Sequence, residues 1–150
     1  MSVVASLLPC LRVLMLPSAA SDAENVVLRQ RRAVAQRVAR IRGYALCEAY
    51  ERACVDESLP PLLTVATFVF DLLCIHPFRD GNGRVSRLAS VLLLQQHRFQ
   101  VGRFISLERL TEQRKEDYYA ALQRCSEGWR HGKHEIVPWW NFFLGVIRSA

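Results

Sequence analysis

The strongest constraint on this chain is an apolar run of fourteen residues at 62–75, LLTVATFVFDLLCI, followed closely by Pro77. Apart from Asp71 and two threonines, every side chain in the run is apolar. A helix that is apolar around its whole circumference, yet too short to cross a membrane, suits the centre of a helical bundle. Pro77 ends that helix, because the residue before a proline avoids helical geometry. The sequence therefore predicts a buried central helix with a sharp stop.

The rest of the chain also has helical patterns, with no convincing strand and no repeat. Apolar residues recur every three or four positions in the longer segments, which indicates amphipathic helices. The predicted helices cover 24–57 with a break at Gly43, 62–75 opened by Pro60 and Pro61, 83–97, 106–126 with Ser106 as cap, and a last segment opened by Pro138. We predict an all-α fold, a helical bundle in which the loop after residue 75 connects two central helices.

The positive charge of the chain is local. Six arginines lie within residues 29–42, a window without an acid, and they account for the whole formal net charge of +6. A solvated helix face is the leading interpretation, and a module that binds nucleic acid or an acidic partner is the rival. No aromatic residues interleave with these arginines, so nucleic acid is not an expected partner.

The five cysteines, at 10, 47, 54, 74 and 125, form no CxxC pair and lie mostly in apolar stretches. This arrangement is typical of reduced thiols in a cytoplasmic protein, not of a disulfide framework or a zinc site. No stretch is long enough to span a membrane. Among other residues that can carry chemistry, His97 is predicted to be a simple charge at a helix C-terminus, and the three tryptophans are predicted to pack the last helix.

Residues 76–87, HPFRDGNGRVSR, concentrate the reactive side chains of the chain. Gly81 and Gly83 permit positive φ and close approach of the backbone to a ligand. Successive N–H groups leading into a helix N-terminus form an anion site, which the helix dipole strengthens. Arg84 and Arg87 stand three apart in the first turn and bind phosphate oxygens well. The loop is therefore predicted to bind phosphate through Gly81, Asn82, Gly83, Arg84 and Arg87.

Three further residue types in the loop complete a catalytic set. His76, which Pro77 holds stiffly, is a side chain that can act as a general base. Asp80 offers the hard oxygen that Mg²⁺ takes beside substrate phosphates. Phe78 is the apolar member, and we expect it to anchor the loop in the core together with Pro77. A phosphate site, a metal ligand and a general base suit transfer of a phosphorus group to a hydroxyl.

This stretch resembles the signature of the Fic family: HPF, any residue, an acid, GN, Gly or Lys, Arg, two residues and Arg. Every defined position is met, and the resemblance extends over about 58–147. VGRFISLERL (101–110), KEDYYAALQRCSEGW (115–129) and PWWNFFLG (138–145) also resemble one bacterial branch of that family. We therefore expect a divergent segment at 1–57, irregular and then basic and helical, and a Fic-like catalytic core at 58–150.

The resemblance implies a protein adenylyltransferase of the cytoplasm that moves AMP from ATP, with Mg²⁺, to a Tyr, Thr or Ser hydroxyl of a target protein. His76 is the implied general base, and Asp80 the implied Mg²⁺ ligand. The backbone at Gly81, Asn82 and Gly83 is implied to bind the leaving pyrophosphate, whose charge Arg84 and Arg87 neutralise. Glycine at 83, in place of the lysine of the Doc-like branch, favours nucleotidyl transfer over phosphorylation.

Two features of the family are missing from the sequence. No alternating strand pair precedes Ser58, so the flap that aligns the target is absent; the chain is expected to be truncated or divergent at its N-terminus, or to dock its target elsewhere. The inhibitory Ser/Thr-xxx-Glu-Gly/Asn motif is also absent, with only a near match at 20–25. A separate antitoxin-like partner, a lost segment and an unregulated enzyme all stay open. The alternative function is an impaired Fic fragment that binds nucleotide, nucleic acid or a partner.

Overall fold

The computed structural model describes residues 26–56, 58–100 and 107–149, with side chains described except at 26–37, 40, 107 and 108. These residues form six α-helices and a 3₁₀ turn, with no strand among them. The helices are α1 (Val26–Val55), α2 (Pro61–Ile75), α3 (Asn82–Gln96), α4 (Leu107–Gln113), α5 (Lys115–Ser126) and α6 (Val137–Arg148), and the 3₁₀ turn is Trp129–His131. The all-α prediction is confirmed.

Helix α2 is the centre of the bundle, as the apolar run predicts, and it packs against α1, α3 and α6. Pro61 lies in its first turn, where the missing N–H costs nothing. Val65, Ala66 and Phe70 are completely buried. The one charged residue of the helix, Asp71, is half-buried and accepts a hydrogen bond of 2.7 Å from the indole N–H of Trp129. A buried helix thus leads directly to the polar loop at 76–81.

Helix α6 is fixed to α2 by two tryptophans. Trp139 is 1% exposed and donates its indole N–H to the carbonyl oxygen of Ala66 at 2.8 Å. Trp140 donates to the hydroxyl of Thr67 at 3.0 Å. Each ring therefore buries a large apolar surface while its one polar atom is satisfied. The predicted packing role of these tryptophans is confirmed.

Two predicted helix boundaries are wrong. Helix α1 continues through Gly43, which is buried, so no break occurs there. A single glycine costs a helix about 1 kcal/mol, which packing of α1 on α2 offsets. The predicted helix 106–126 is divided at Arg114, whose φ of −115° and ψ of 35° are not helical. This break sets the Arg114 guanidinium over the ring of Phe142, 5.6 Å from its centroid.

Some predictions lie outside the described residues: the irregular segment at 1–22, the near match at 20–25, the Ser106 cap, and the side chains of the arginine cluster other than Arg42. Within the described ranges, no helix combines the length and the apolar character needed to cross a lipid bilayer.

Candidate active site in the loop between α2 and α3

His76 occupies a backbone conformation that few non-glycine residues adopt. It caps α2 in the left-handed region, with φ of 51° and ψ of 57°, and its N–H donates to the carbonyl oxygen of Leu72 at 3.1 Å. Such a conformation costs about 1–3 kcal/mol, and it persists only where the surroundings enforce it. The next residue, Pro77, is buried. The fold therefore fixes the backbone conformation of His76, and with it the direction in which its side chain begins.

The imidazole of His76 is exposed, and its Nδ1 lies 3.3 Å from the carbonyl oxygen of Leu73. A carbonyl oxygen only accepts hydrogen bonds, so Nδ1 is the nitrogen that carries the proton in the neutral ring. The lone pair then belongs to Nε2. A neutral imidazole with an unprotonated Nε2 in an exposed ring has the form that a general base requires.

The side chain of Asn82 holds the loop together. Its Oδ1 accepts the backbone N–H of Phe78 at 3.0 Å, and its Nδ2 donates to the carbonyl oxygen of Phe78 at 2.7 Å. Asn82 is 3% exposed, and the half-buried Phe78 ring packs against the core. Both polar atoms of the side chain therefore bind the backbone of Phe78, and the group that Asn82 offers a phosphate is its backbone N–H.

The N-terminus of α3 has the features of an anion site. Gly81 precedes the helix with φ of 83°, a left-handed conformation that glycine adopts without steric cost. Its carbonyl oxygen accepts the N–H of Val85 at 2.9 Å, which begins the helix. Because Gly81 has no side chain, the N–H groups of the first turn receive no side-chain cap. Such uncapped N–H groups, with the positive end of the dipole, bind phosphate.

Asp80 and Arg84 form an exposed pair at the mouth of this turn. The Asp80 Oδ1 accepts the N–H of Gly81 at 2.7 Å, and Oδ2 lies 3.2 Å from Nη2 of Arg84. The two side chains are 91% and 73% exposed, so this pair contributes little to stability and opens easily. A single exposed carboxylate beside an anion site fits Mg²⁺, which takes one or two protein carboxylates together with substrate phosphates.

Gly83 and Arg87 are in close contact one turn apart on α3. A Cβ atom at Gly83 would lie 3.3 Å from Nη1 of Arg87, closer than ordinary van der Waals contact. Arg87 is half-buried and lines a cavity of about 30 Å³ together with Tyr118. Burial raises the pKa of the Tyr118 hydroxyl, and the positive charge of Arg87 opposes that rise. The two arginines of the loop therefore differ: Arg84 is exposed, and Arg87 is held against α5.

A larger cavity, of about 350 Å³, lies between α1 and α2 and is lined mainly by apolar side chains. No residue of the loop at 76–87 lines this cavity. The cavity therefore lacks the residues that are predicted to bind phosphate, and the loop at 76–87 is the candidate active site.

Sequence reasoning missed a second polar cluster. The Tyr50 hydroxyl is 2.9 Å from Nε2 of His97, and Cys54 Sγ is 3.8 Å from the same nitrogen. His97 is therefore a hydrogen-bonded residue between α1 and α3, where a simple helix-end charge was predicted. Tyr50 and His97 are 47 positions apart. No local pattern indicates such a pair.

A model of the family described as "Fic/DOC family" matches residues 16–94 of the chain. The match covers α1, α2, the loop and most of α3, and it begins within the segment that the sequence predicts to be divergent. It includes the complete HPFRDGNGR stretch, whose backbone forms the helix cap at His76 and the uncapped N-terminus of α3 described above. More than half of the chain lies within the match. This chain belongs to the Fic/DOC family.

Proposed function

We propose that this protein is an adenylyltransferase that moves AMP from ATP to a Tyr, Thr or Ser hydroxyl of a target protein. The observation that carries the proposal is the convergence in one loop of an exposed His76, whose Nδ1 faces a carbonyl oxygen, and an uncapped helix N-terminus with Arg84 and Arg87. Membership of the Fic/DOC family supports a Fic-type function in general. The partner is the protein that bears the hydroxyl.

In the proposed reaction, the acceptor hydroxyl gives its proton to Nε2 of His76. The hydroxyl oxygen forms a bond to the α-phosphorus of ATP, and the bond from that phosphorus to the bridging oxygen of pyrophosphate breaks. The products are an adenylylated side chain and pyrophosphate. Because Nδ1 of His76 is held by Leu73, the proton can go to one ring nitrogen alone.

The charge of the leaving pyrophosphate is the main electrostatic problem of this step. The first-turn N–H groups of α3 would bind its oxygens, and Arg84 and Arg87 would supply positive charge. Asp80 would hold Mg²⁺, which neutralises phosphate charge when it is bound. The exposed pair of Asp80 and Arg84 must open to allow this, at small cost.

The test is transfer of label from ATP to protein. The chain is incubated with Mg²⁺, a cell lysate and ATP labelled at the α- or the γ-phosphate. We expect α-label on protein, and a decrease of at least about a hundredfold in His76→Ala, since general bases contribute that much or more. His131→Ala is the matched control, because His131 is exposed and lies in the 3₁₀ turn, outside the loop at 76–87.

Three results would contradict the proposal. Label that persists in His76→Ala removes the general base. Transfer of γ-label instead of α-label makes the reaction a phosphorylation. Nucleotide binding without any transfer reduces the protein to a binding module, the alternative that the sequence leaves open.

A further inference from the structure

Three side chains that the proposed reaction does not use meet at the end of α3 opposite the loop. Tyr50 and Cys54 stand one turn apart on α1, and both approach Nε2 of His97, at 2.9 Å and 3.8 Å. Tyr50 is 4% exposed, whereas Cys54 is exposed. The cluster therefore pairs a nucleophile that solvent reaches with a base, and a third group holds the base.

The chemistry of the three side chains determines which of them donate hydrogen bonds and which one accepts. Burial raises the pKa of the Tyr50 hydroxyl, so Tyr50 keeps its proton and donates a hydrogen bond. In the tautomer that carries its proton on Nδ1, Nε2 has a single lone pair, which the O–H of Tyr50 and the S–H of Cys54 can each approach as donors. Cys54 Sγ lies 3.8 Å from Nε2, so its thiol is placed to pass a proton to His97 while Tyr50 keeps its own.

We propose that Cys54 is a site of thiol–disulfide exchange, that it takes low-molecular-weight disulfides, and that His97 is its base. In the step, the Cys54 proton moves to Nε2 of His97, and the thiolate attacks one sulfur of the small disulfide. A new sulfur–sulfur bond forms at Cys54 while the old one breaks. The departing thiolate leaves with the electron pair and takes the proton from Nε2. Cys54 is oxidised, and the small disulfide is reduced by the same two electrons.

The other described cysteines differ from Cys54 in each of these respects. Cys47 and Cys125 are buried, and burial raises the pKa of both thiols. Cys74 is half-buried, and burial raises its pKa to about 12. Thiolate is the reactive form, so these three thiols are disfavoured both chemically and sterically. Among the cysteines that the structure describes, Cys54 is therefore the one that is favoured to react.

Tyr50 also stabilises the product of the proton transfer. Its hydroxyl interacts with Cys54 as well as with His97, so it can donate to the thiolate once Nε2 has taken the proton. The whole cluster lies about 22 Å from the loop, the length of the fifteen residues of α3. The inference therefore stands independently of adenylyl transfer.

The experiment uses the full chain and glutathione disulfide. Intact mass and peptide fragmentation follow the mixed disulfide at each cysteine in the wild type, His97→Gln and Tyr50→Phe. We expect Cys54 to react first among the four described cysteines and His97→Gln to slow its reaction about tenfold, the combined effect of a smaller thiolate fraction and a more nucleophilic thiolate. Tyr50→Phe, which keeps the packed ring, should slow it about threefold by the same reasoning.

His131→Gln is the control for loss of an exposed histidine, and it should leave the rate unchanged. Cys47 and Cys125 report on the fold, because they become reactive only if the chain opens. If Cys47 and Cys125 become reactive in His97→Gln, that variant has lost its fold. The Tyr50→Phe variant then tests the proposal. A rate at Cys54 that neither variant lowers would show that exposure alone controls it and would overturn the proposal. Equal reaction at Cys47 and Cys54 in the wild type would do the same.

Discussion

The side chain of Asn82 and the backbone of Phe78 form a closed ring of two hydrogen bonds, one of 3.0 Å from the Phe78 N–H and one of 2.7 Å to its carbonyl oxygen. This ring ties the first residue of α3 to the loop four positions earlier. It contains no group that nucleotide could replace, since the amide is buried. The curvature of the loop is therefore set before any ligand arrives, which is what a preorganised anion site requires.

Replacement of Asn82 by alanine should destabilise the protein. Two backbone groups of Phe78 lose their partners in a mostly buried position, at about 1–3 kcal/mol for each group left unsatisfied. We expect a decrease of about 2–3 kcal/mol in the free energy of unfolding, measured by urea denaturation. Gln95→Ala, at an exposed position of the same helix, is the control and should change little. A loss no larger than that of the control would show that the ring does not stabilise the loop.

Gly81 and Gly83 should respond differently to alanine. Gly81 has φ of 83°, which alanine adopts only with strain, so Gly81→Ala should lower stability by about 1–2 kcal/mol. Gly83 is helical and meets only the guanidinium of Arg87, so Gly83→Ala should keep or slightly raise stability. Thermal unfolding of both variants measures this contrast, and adenylyl transfer by Gly83→Ala should decrease because Arg87 is displaced. Equal effects on stability would refute the backbone explanation.

Arg87→Ala tests the second arginine of the loop. If its guanidinium stabilises the pyrophosphate, transfer of α-label should decrease about a hundredfold, as on loss of one preorganised charged donor. Arg87→Lys should restore little, since an ammonium does not bind two oxygens at once. Far-ultraviolet circular dichroism checks that the helices persist. Unchanged labelling in a folded Arg87→Ala variant would remove Arg87 from the proposed role.

Asp71→Asn should stabilise the protein at neutral pH. Burial is the main cause that raises the pKa of Asp71 above its ordinary value of 3.8, and the hydrogen bond from Trp129 only partly opposes it. A raised pKa means that the folded state prefers the protonated carboxyl, so this contribution is present below about pH 3.8 and is lost as pH rises through the folded pKa.

Asparagine keeps an oxygen that accepts the Trp129 N–H and carries no charge. The gain over wild type should therefore be largest near pH 7 and should shrink as pH falls towards 4, measured by urea denaturation at both values. A gain that does not depend on pH would have to come from another source than the charge of Asp71. Glu116→Gln, an exposed acid in α5, is the control.

The parts of the fold that the sequence predicts best are those where the backbone is restricted locally. The predicted helix at 62–75 is Pro61–Ile75 in the structure, and the predicted helix at 83–97 is Asn82–Gln96. Proline and glycine act on their own position and its neighbour, so a short window contains the information. The residues of the candidate site could also be identified from a short window, because they lie within twelve consecutive positions.

The predictions that were wrong concern contacts between residues far apart in the chain. Gly43 does not end its helix because α1 packs along α2, and Arg114 divides α4 from α5 where its guanidinium meets Phe142. His97 is not a simple charge, because a tyrosine 47 positions away bonds to it.

Thus the linear order of residues already indicates the loop chemistry, through the restricted backbone of Pro77 and the positive φ that Gly81 permits. The environment of each group does not follow from that order. That Asn82 turns inward, that Arg87 lies against Tyr118 while Arg84 is exposed, and that Cys54 meets a base, all depend on how the helices pack. The reason is that the burial of a side chain and its choice of partner depend on residues that are distant in the chain. Only the assembled bundle brings these residues together.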